Sequence, residues 1–266
     1  MQSGACGLQE CFFRHALELG REKEFLMNYV LDSHTHTLAS GHAYATLHEM
    51  AKTAADKGLK LLGVTEHAMA MPGTCHEYYF MNMRILPREM YGIEVMHGAE
   101  VNIMDYQGSL DMEEYLLKKM DVAIASLHTP CIKPGSKEEN TQAYLSAMKN
   151  PYINIIGHPD DSRYPIDYLA LVQAAKEYGV LLELNNNSLH PLGARENPIP
   201  NDVVMLRYCM EYQVPIILGS DAHTLEDVGN HCFVDPLLET LQFPEELIVN
   251  RSVKEYKKYI NRYREQ

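Results

Sequence analysis

Short apolar runs alternate with segments of helical periodicity over most of the chain. Strands are predicted at the apolar runs, which lie at residues 29–31, 60–65, 93–99, 121–127, 152–157, 180–184 and 214–219. Helices are predicted where apolar residues recur at helical spacing, over residues 46–57, 141–149, 166–178, 203–212 and most of 243–266. Short strands separated by helices indicate parallel βαβ units. Seven such units without a linker predict a single α/β domain, closed or nearly closed into a barrel.

The first predicted strand leads into a pair of histidines. Tyr29-Val30-Leu31 runs directly into Asp32-Ser33-His34-Thr35-His36. Alternate residues of a strand point to the same side, so His34 and His36 are expected to project together. His42 follows in the next loop and can reach the same mouth. These imidazoles can share a cation, although histidines near a strand end are also often simply polar.

The other predicted strands end in the same kinds of side chain. The polar residues at these ends are Glu66 and His67, Glu100, His128, His158, and Asp221 and His223. The carboxyl ends of the strands of a parallel barrel meet at one face, where active sites lie. Histidine, aspartate and glutamate are ligands that suit zinc, manganese or iron. With Glu66 left aside, seven histidines and two acids converge, which fits two or three ions that share a bridging carboxylate.

Composition narrows the range of partners and compartments. The chain has 266 residues and a formal net charge of −13, and it has no cluster of Lys and Arg, which argues against a nucleic-acid partner. No apolar run approaches the roughly 18 residues of a membrane span. Six scattered cysteines without a C-x-x-C pair are typical of the reducing cytoplasm, so a cytoplasmic protein is expected. Residues 1–28 are too charged for a signal peptide and are predicted as an N-terminal extension, with 29–266 forming the barrel domain.

The strand-end motifs form an ordered set. They are His34-Thr35-His36, His42, Thr65-Glu66-His67, Gly98-Ala99-Glu100, Ser126-Leu127-His128, Gly157-His158-Pro159 and Gly219-Ser220-Asp221-Ala222-His223. This set resembles the motifs of the PHP superfamily, the polymerase-associated and histidinol-phosphatase domains. Linking stretches such as Ser40-Gly41-His42-Ala43-Tyr44 and Glu183-Leu184-Asn185-Asn186 are similar to its YcdX-like branch of phosphatases. The resemblance implies a distorted (β/α)7 TIM-like barrel, which agrees with the strand count above.

The resemblance also implies a trinuclear zinc site and a division of its ligands. The ligands, given ion by ion, are His34, His36, Glu100 and Asp221; then the shared Glu100 with His128 and His158; then His42, His67 and His223. Among them, Glu100, Asp221 and His128 are the predicted catalytic residues. Arg84 and Asn185 are candidate substrate-binding residues, although each also fits an ordinary role on a surface or in a turn. Three divalent ions are expected, zinc first, with manganese or iron as alternatives.

The predicted activity is hydrolysis of small phosphomonoesters by a metal-activated hydroxide. Two alternatives use the same ions: a phosphodiesterase or nuclease, and a phosphatase specific for histidinol phosphate. A non-enzymatic metal-binding module is a third, and the nine potential ligands count against it. The sequence leaves the physiological substrate and the oligomeric state open.

Overall fold

A computed structural model describes residues 28–260, and their strands form one sheet. Its strands are β1 (Leu31–Thr35), β2 (Leu61–His67), β3 (Glu89–Met90), β4 (Ile93–Asn102), β5 (Ala123–Ser126), β6 (Ile155–Ile156), β7 (Leu181–Asn185) and β8 (Ile216–Gly219). Seven of them are parallel neighbours in the order β1-β2-β4-β5-β6-β7-β8, and β3 pairs antiparallel with β4. The short β3 was not predicted.

The two ends of the sheet meet, so the sheet is nearly closed into a barrel. Thr35 at the end of β1 forms a parallel bridge with Ala222, which lies just after β8. The backbone N–H of Asp221 donates to the carbonyl of His34, and that of His36 donates to the carbonyl of Ala222, each at 2.9 Å. The predicted seven-unit TIM-like barrel in a single domain is therefore confirmed.

Below this contact, one side chain bridges the two end strands. Asn250 is fully buried, and its Oδ1 accepts from the backbone N–H of Leu218 at 2.7 Å. Its Nδ2 donates to the carbonyls of Leu31 and Leu218, at 3.2 and 2.8 Å. The side chain thus supplies hydrogen bonds that a direct β1–β8 ladder would otherwise supply.

Apolar side chains fill the opposite end of the barrel. The buried members of this cluster are Leu31, Leu61, Met96, Val122, Ile124, Ile155, Leu181, Ile217, Val249, Tyr256 and Ile260. Several of them are the first residues of their strands. The last three belong to the C-terminal segment, which packs against the amino ends of the strands. The barrel interior is therefore largely apolar at the amino ends of the strands.

Helices cover the outside of the sheet. They are α1 (Leu47–Asp56), α2 (Glu77–Asn82), α3 (Glu114–Leu117), α4 (Lys137–Ala147), α5 (Tyr168–Tyr178), α6 (Pro198–Tyr212), α7 (Asp235–Leu241) and α8 (Val253–Tyr256). Thr46 and Ser136 begin α1 and α4 with capping boxes, in which side chains satisfy N–H groups of the first turn. Among the described residues, no helix combines the length and apolar character that a membrane span requires.

Several predicted boundaries differ from the structure. The predicted helix over 141–149 begins earlier, at Lys137, because the Ser136 capping box precedes its apolar positions. The predicted loop over 68–80 ends in the short helix α2. The C-terminal region, predicted as mostly helix over 243–266, is helical only in short pieces up to residue 260, which are α8 and two 3-10 helices at Glu245–Leu247 and Val249–Arg251. Residues 1–27, which include most of the predicted extension, lie outside the described range.

Candidate metal centre

The histidine pair at the carboxyl end of β1 lies at the centre of this face of the barrel. His34 and His36 are fully buried, and their Nε2 atoms are 3.1 Å apart. Two ring nitrogens at this distance cannot both carry a proton without repulsion, so they need a shared proton or a cation between them. Asp221 Oδ1 completes the group, at 3.7 Å from the Nε2 of His34 and 3.3 Å from that of His36.

Glu100 lies between two sets of histidines and turns a different oxygen to each. Its Oε1 faces the Nε2 atoms of His158 at 2.8 Å and His128 at 3.2 Å. Its Oε2 lies 2.7 Å from Nδ1 of His67 and 3.5 Å from Nε2 of His34. A carboxylate placed in this way can bridge two cations, one on each oxygen.

The contact between Glu100 and His67 has the character of two ligands rather than of a hydrogen bond. Both atoms, Oε2 of Glu100 and Nδ1 of His67, are buried and make no hydrogen bond although they are 2.7 Å apart. Buried polar atoms are nearly always paired, and orphaned ones need an explanation. Cations coordinated by these atoms would satisfy them.

A third group of histidines lies nearer to solvent. The Nε2 atoms of His42 and His223 are 3.1 Å apart, and the ring of His67 stacks on that of His42 with centroids 4.9 Å apart. His36 also lies close to this group, since its ring centroid is 4.5 Å from that of His223. The loop histidine predicted from sequence therefore does reach the same mouth as the strand-end residues.

Neighbouring groups engage the Nδ1 atoms of four of these histidines. The partners are Glu183 Oε1 for His34 at 2.6 Å, Ser40 Oγ for His36 at 3.0 Å, Asn102 Oδ1 for His128 at 2.7 Å and the Asp221 carbonyl for His223 at 2.8 Å. With Nδ1 engaged, Nε2 is left as the free ligand atom of each ring. Histidines that bind metals are typically oriented in this way, so the residues present fit a metal centre.

The electrostatics of the centre favour cations. Burial acts to raise the pKa values of Glu100 and Asp221, but the surrounding histidines outweigh it and hold both well below their usual range. Burial and the neighbouring histidines hold the pKa of His36 well below its usual value, so its ring is neutral. Ionised carboxylates and neutral imidazole are the forms that bind metal ions, so Glu100, Asp221 and His36 are in the binding form. Burial acts to lower the pKa of His34, but Glu183, Glu100 and Asp221 outweigh it and hold that pKa well above its usual value.

Two backbone positions in the centre are strained. His158 has φ of 29° and Asp221 has φ of 53°, in a region that residues with a side chain seldom occupy. Such outliers cluster at functional sites, where the surrounding structure enforces them. Here the strained turns follow β6 and β8 directly and aim both side chains into the barrel mouth.

Within residues 28–260, three overlapping groups of side chains have ligand atoms close enough together to hold an ion. They are His34, His36 and Asp221; His67, Glu100 and His128; and His36, His67 and His223, with ligand atoms within 4.8 Å of one another in each group. The first group matches the first predicted ligand set, apart from Glu100. The second group has His67 in place of the predicted His158, and the third has His36 in place of the predicted His42. His158 still contacts its predicted partner Glu100, and His42 still contacts its predicted partner His223.

A cavity of about 580 Å³ opens above the centre. Its floor includes His128, His158 and Asp221, and its walls come from loops that follow several strands. Arg195 lines it, with Nη2 donating to Asp221 Oδ2 at 3.0 Å. A guanidinium has five N–H donors, so Arg195 retains donors beyond this bond.

The candidate substrate residues lie elsewhere. Arg84 is exposed, in the 3-10 helix Met83–Ile85, and is not among the residues that line the cavity. Asn185 is fully buried and donates to Glu183 at 3.0 Å and to Asp221 at 3.3 Å. Their substrate roles stay predictions, and in the structure Asn185 contacts the carboxylates that surround the histidines.

Sequence reasoning missed two residues of the centre. Glu183 is the one acid in the apolar strand β7, and an isolated acid in a buried strand was a signal that could have identified it. Arg195 lies in an irregular loop after that strand, and no local pattern marks it.

Comparison with known proteins places these features in a family. Residues 32–187 match the PHP domain, and residues 204–234 match the PHP-associated family. A probable phosphatase of Clostridium novyi is 47% identical over 88% of this chain and 95% of its own length. One from Acetivibrio thermocellus is 42% identical over 90% of this chain and 98% of its own.

A solved structure shares the fold. The histidinol phosphate phosphatase of Lactococcus lactis, crystallised with zinc, L-histidinol and phosphate, aligns with a TM-score of 0.54 over 81% of this chain and 95% of its own. Its sequence identity is 16%, so the likeness concerns the fold. The sequence matches carry the assignment: the chain belongs to the PHP domain family, and within that family it is a phosphatase.

Proposed function

We propose that this phosphatase hydrolyses small phosphomonoesters in a centre of three divalent metal ions. The observation that carries the proposal is the position of Glu100, whose two oxygens face different histidine sets at the floor of a cavity. Zinc suits the histidine-rich donor set best, with manganese or iron as alternatives. The zinc bound in the Lactococcus lactis phosphatase supports the same choice.

The proposed ligand sets are those that the family resemblance implies, and the contacts of Glu100 and of the histidine pairs support them. His34, His36, Asp221 and one oxygen of Glu100 would hold the first ion, and His128, His158 and the other oxygen of Glu100 would hold the second. His42, His67 and His223 would hold the third. Ions in such a centre lower the pKa of coordinated water towards neutrality and offset charge on the phosphoryl group.

Side chains of the centre and of the cavity have separate proposed roles in metal and substrate binding. Glu100 would bind two ions and Asp221 one, and their low pKa values keep both carboxylates ionised at neutral pH. His128 lies at the cavity floor, where a phosphoryl group reaches the centre. Arg195 faces the same space and has the planar geometry that binds phosphate through paired hydrogen bonds. The substrate is thus a small phosphorylated molecule, held by its phosphate.

The setting proposed from the sequence is the cytoplasm. The four cysteines within the described range, Cys75, Cys131, Cys209 and Cys232, are free thiols. The formal net charge of −13 also argues against a nucleic-acid substrate, and hence against the nuclease alternative.

Metal content and kinetics of two ligand variants test the proposal. Purified protein is expected to hold close to three transition-metal ions, and a chelator is expected to abolish hydrolysis of a generic phosphomonoester. Glu100→Gln removes the bridging charge and should lower turnover by roughly 10²-fold or more. His223→Ala should empty mainly the third site and leave part of the turnover.

His48→Ala is the control, because His48 is exposed on α1 and lies outside the centre. It should match the wild type in both measurements. One ion or none in protein that has never met a chelator would overturn the trinuclear centre. Faster hydrolysis of a phosphodiester than of a monoester would overturn the substrate class.

A further inference from the structure

The wall of the cavity above the metal centre is mostly uncharged. Its apolar side chains come from three separate loops and are Met71, Pro72, Leu127, Pro130 and Leu192. Leu192 stands at the mouth with 88% of its surface exposed. Thr129 and Asn187 add neutral hydrogen-bonding groups to the same wall.

Among the described lining residues, the charges outside the metal centre and Arg195 belong to one pair, Asp161 and Arg163. The Nε of Arg163 donates to both oxygens of Asp161, at 3.0 and 2.9 Å, and its Nη2 donates to Oδ2 at 2.5 Å. The Nη2 also donates to the carbonyl of Ala194 at 3.0 Å. This forked contact is the geometry in which the two charges cancel most completely.

The pair is also held from both sides. The backbone N–H of Arg163 and that of Glu196 donate to Asp161 Oδ1, at 3.0 and 3.4 Å. Burial acts to raise the pKa of Asp161, but Arg163 outweighs it and keeps that pKa below its usual value. Both groups therefore stay charged and are paired with each other, which leaves little net charge on this part of the wall.

A substrate that carries a second charge would have to leave that charge unpaired against this wall. Placing an unpaired charge against apolar side chains is unfavourable. We infer that the alcohol part of the substrate is uncharged and partly apolar, so that a neutral alkyl phosphate is preferred over aminoalkyl and carboxyalkyl phosphates. This inference rests on the proposed phosphomonoesterase activity and narrows its substrate class, with aminoalcohol esters such as histidinol phosphate disfavoured.

Three esters of equal chain length test the preference: propyl phosphate, 3-aminopropyl phosphate and 3-phosphonooxypropanoate. They share the phosphate and differ in the charge at the far end, which is neutral, positive or negative. The measurement is kcat/KM for inorganic phosphate release by the metal-loaded protein. Propyl phosphate should exceed each charged ester by about tenfold.

Two variants then add an acid to the wall. Arg163→Gln frees the carboxylate of Asp161, and Leu192→Asp places a new carboxylate at the mouth, where an exposed side chain is replaced without loss of packing. Each should raise the ratio of kcat/KM for the aminopropyl ester to that for the propyl ester by roughly threefold or more. Leu192→Asn is the matched control, because asparagine has nearly the shape of aspartate but no charge. It should leave the ratio of the two kcat/KM values unchanged.

The outcomes separate this inference from the proposed function. If neither these esters nor a generic phosphomonoester is hydrolysed while the ions are bound, the phosphomonoesterase proposal fails. If the wild type hydrolyses a charged ester at least as well as the propyl ester, the inference about the alcohol is overturned. The inference is also overturned if both acid-adding variants leave the ratio at its wild-type value, because the wall then does not meet the alcohol.

Discussion

At the scale of single residues, the centre depends on side chains that orient the candidate ligands. Glu183 is one of these. Its Oε1 accepts from Nδ1 of His34 at 2.6 Å, and its Oε2 accepts from the backbone N–H of His158 at 2.8 Å and from Nδ2 of Asn185 at 3.0 Å. One carboxylate therefore positions a ligand of the first proposed ion and a ligand of the second.

Glu183→Gln should weaken metal binding by about 10- to 100-fold, because removing a carboxylate behind a ligating histidine lowers the basicity and order of the ring. Competition with a chromogenic chelator measures the affinity. Glu177→Gln, at an exposed position of α5, is the matched control. Equal affinity of the Glu183 variant and the wild type would show that this carboxylate plays no part in metal binding.

At the scale of elements, the centre is assembled from loops that are packed against one another. The loop after β1 carries His42, and Gly41 beside it has φ of 85°. A Cβ on Gly41 would lie 2.1 Å from the carbonyl oxygen of Gly73, in the loop after β2. The two loops can touch only because no side chain separates them.

Gly41→Ala should destabilise the protein by about 2 kcal/mol or more, since it adds a backbone clash to the cost of the left-handed conformation. It should also displace His42 and lower the metal content. Gly58→Ala isolates the conformational cost, because Gly58 has φ of 84° and nothing within 4 Å of its added Cβ. Denaturant unfolding and metal analysis of both variants check this, and an equal loss of stability in the two would rule out the clash.

At the scale of the whole molecule, closure of the barrel and its pH dependence rest on buried polar groups. Asn250 makes three hydrogen bonds across the gap between β1 and β8. His231, by contrast, is buried with neither ring nitrogen hydrogen-bonded, and its ring meets the edge of Tyr29 at 4.8 Å. Asn250 therefore stabilises the fold through its hydrogen bonds, whereas the buried His231 makes the fold sensitive to acid.

Asn250→Ala should cost about 3 kcal/mol or more, because it leaves buried backbone groups of Leu31 and Leu218 without partners. Asn82→Ala, at an exposed position with no capping hydrogen bond, should change the free energy of unfolding by less than about 0.5 kcal/mol. Chemical denaturation measures both. A loss below about 1 kcal/mol for the Asn250 variant would mean that the strands close the gap without it.

His231→Phe should reduce the acid sensitivity of the fold. Burial lowers the pKa of His231 to about 4. The unfolded chain, with an ordinary histidine pKa of about 6.5, therefore binds more protons between these values, and stability is lost as the pH falls from 6.5 towards 4. Between pH 7 and pH 5 this amounts to about 2 kcal/mol, which the variant should not lose.

Phe retains the ring contact with Tyr29, so packing is preserved. Asp235, whose pKa burial raises to about 6, is present in both proteins and its contribution cancels in the comparison. Unfolding free energies at the two pH values give the test. Parallel losses in the variant and the wild type would contradict a buried neutral imidazole.

The amino-acid sequence by itself determined the order of strands and the strand ends at which the candidate ligands stand. It could do so because β-periodicity is local and all parallel strands of a barrel direct their carboxyl ends to one face. His34, Glu100 and Asp221 were found in this way, although they are far apart in the chain. Local capping and periodicity placed α1 within a residue of its observed ends.

Only the tertiary structure decided which atoms meet. That Glu100 turns one oxygen to His67 and the other to His158, that Glu183 holds His34, and that Arg195 faces the cavity are contacts between distant parts of the chain. Such contacts leave no periodic trace in the sequence, because they depend on strand register, loop packing and strained turns. For the same reason the bridge made by Asn250 could not be read from its surroundings in the sequence.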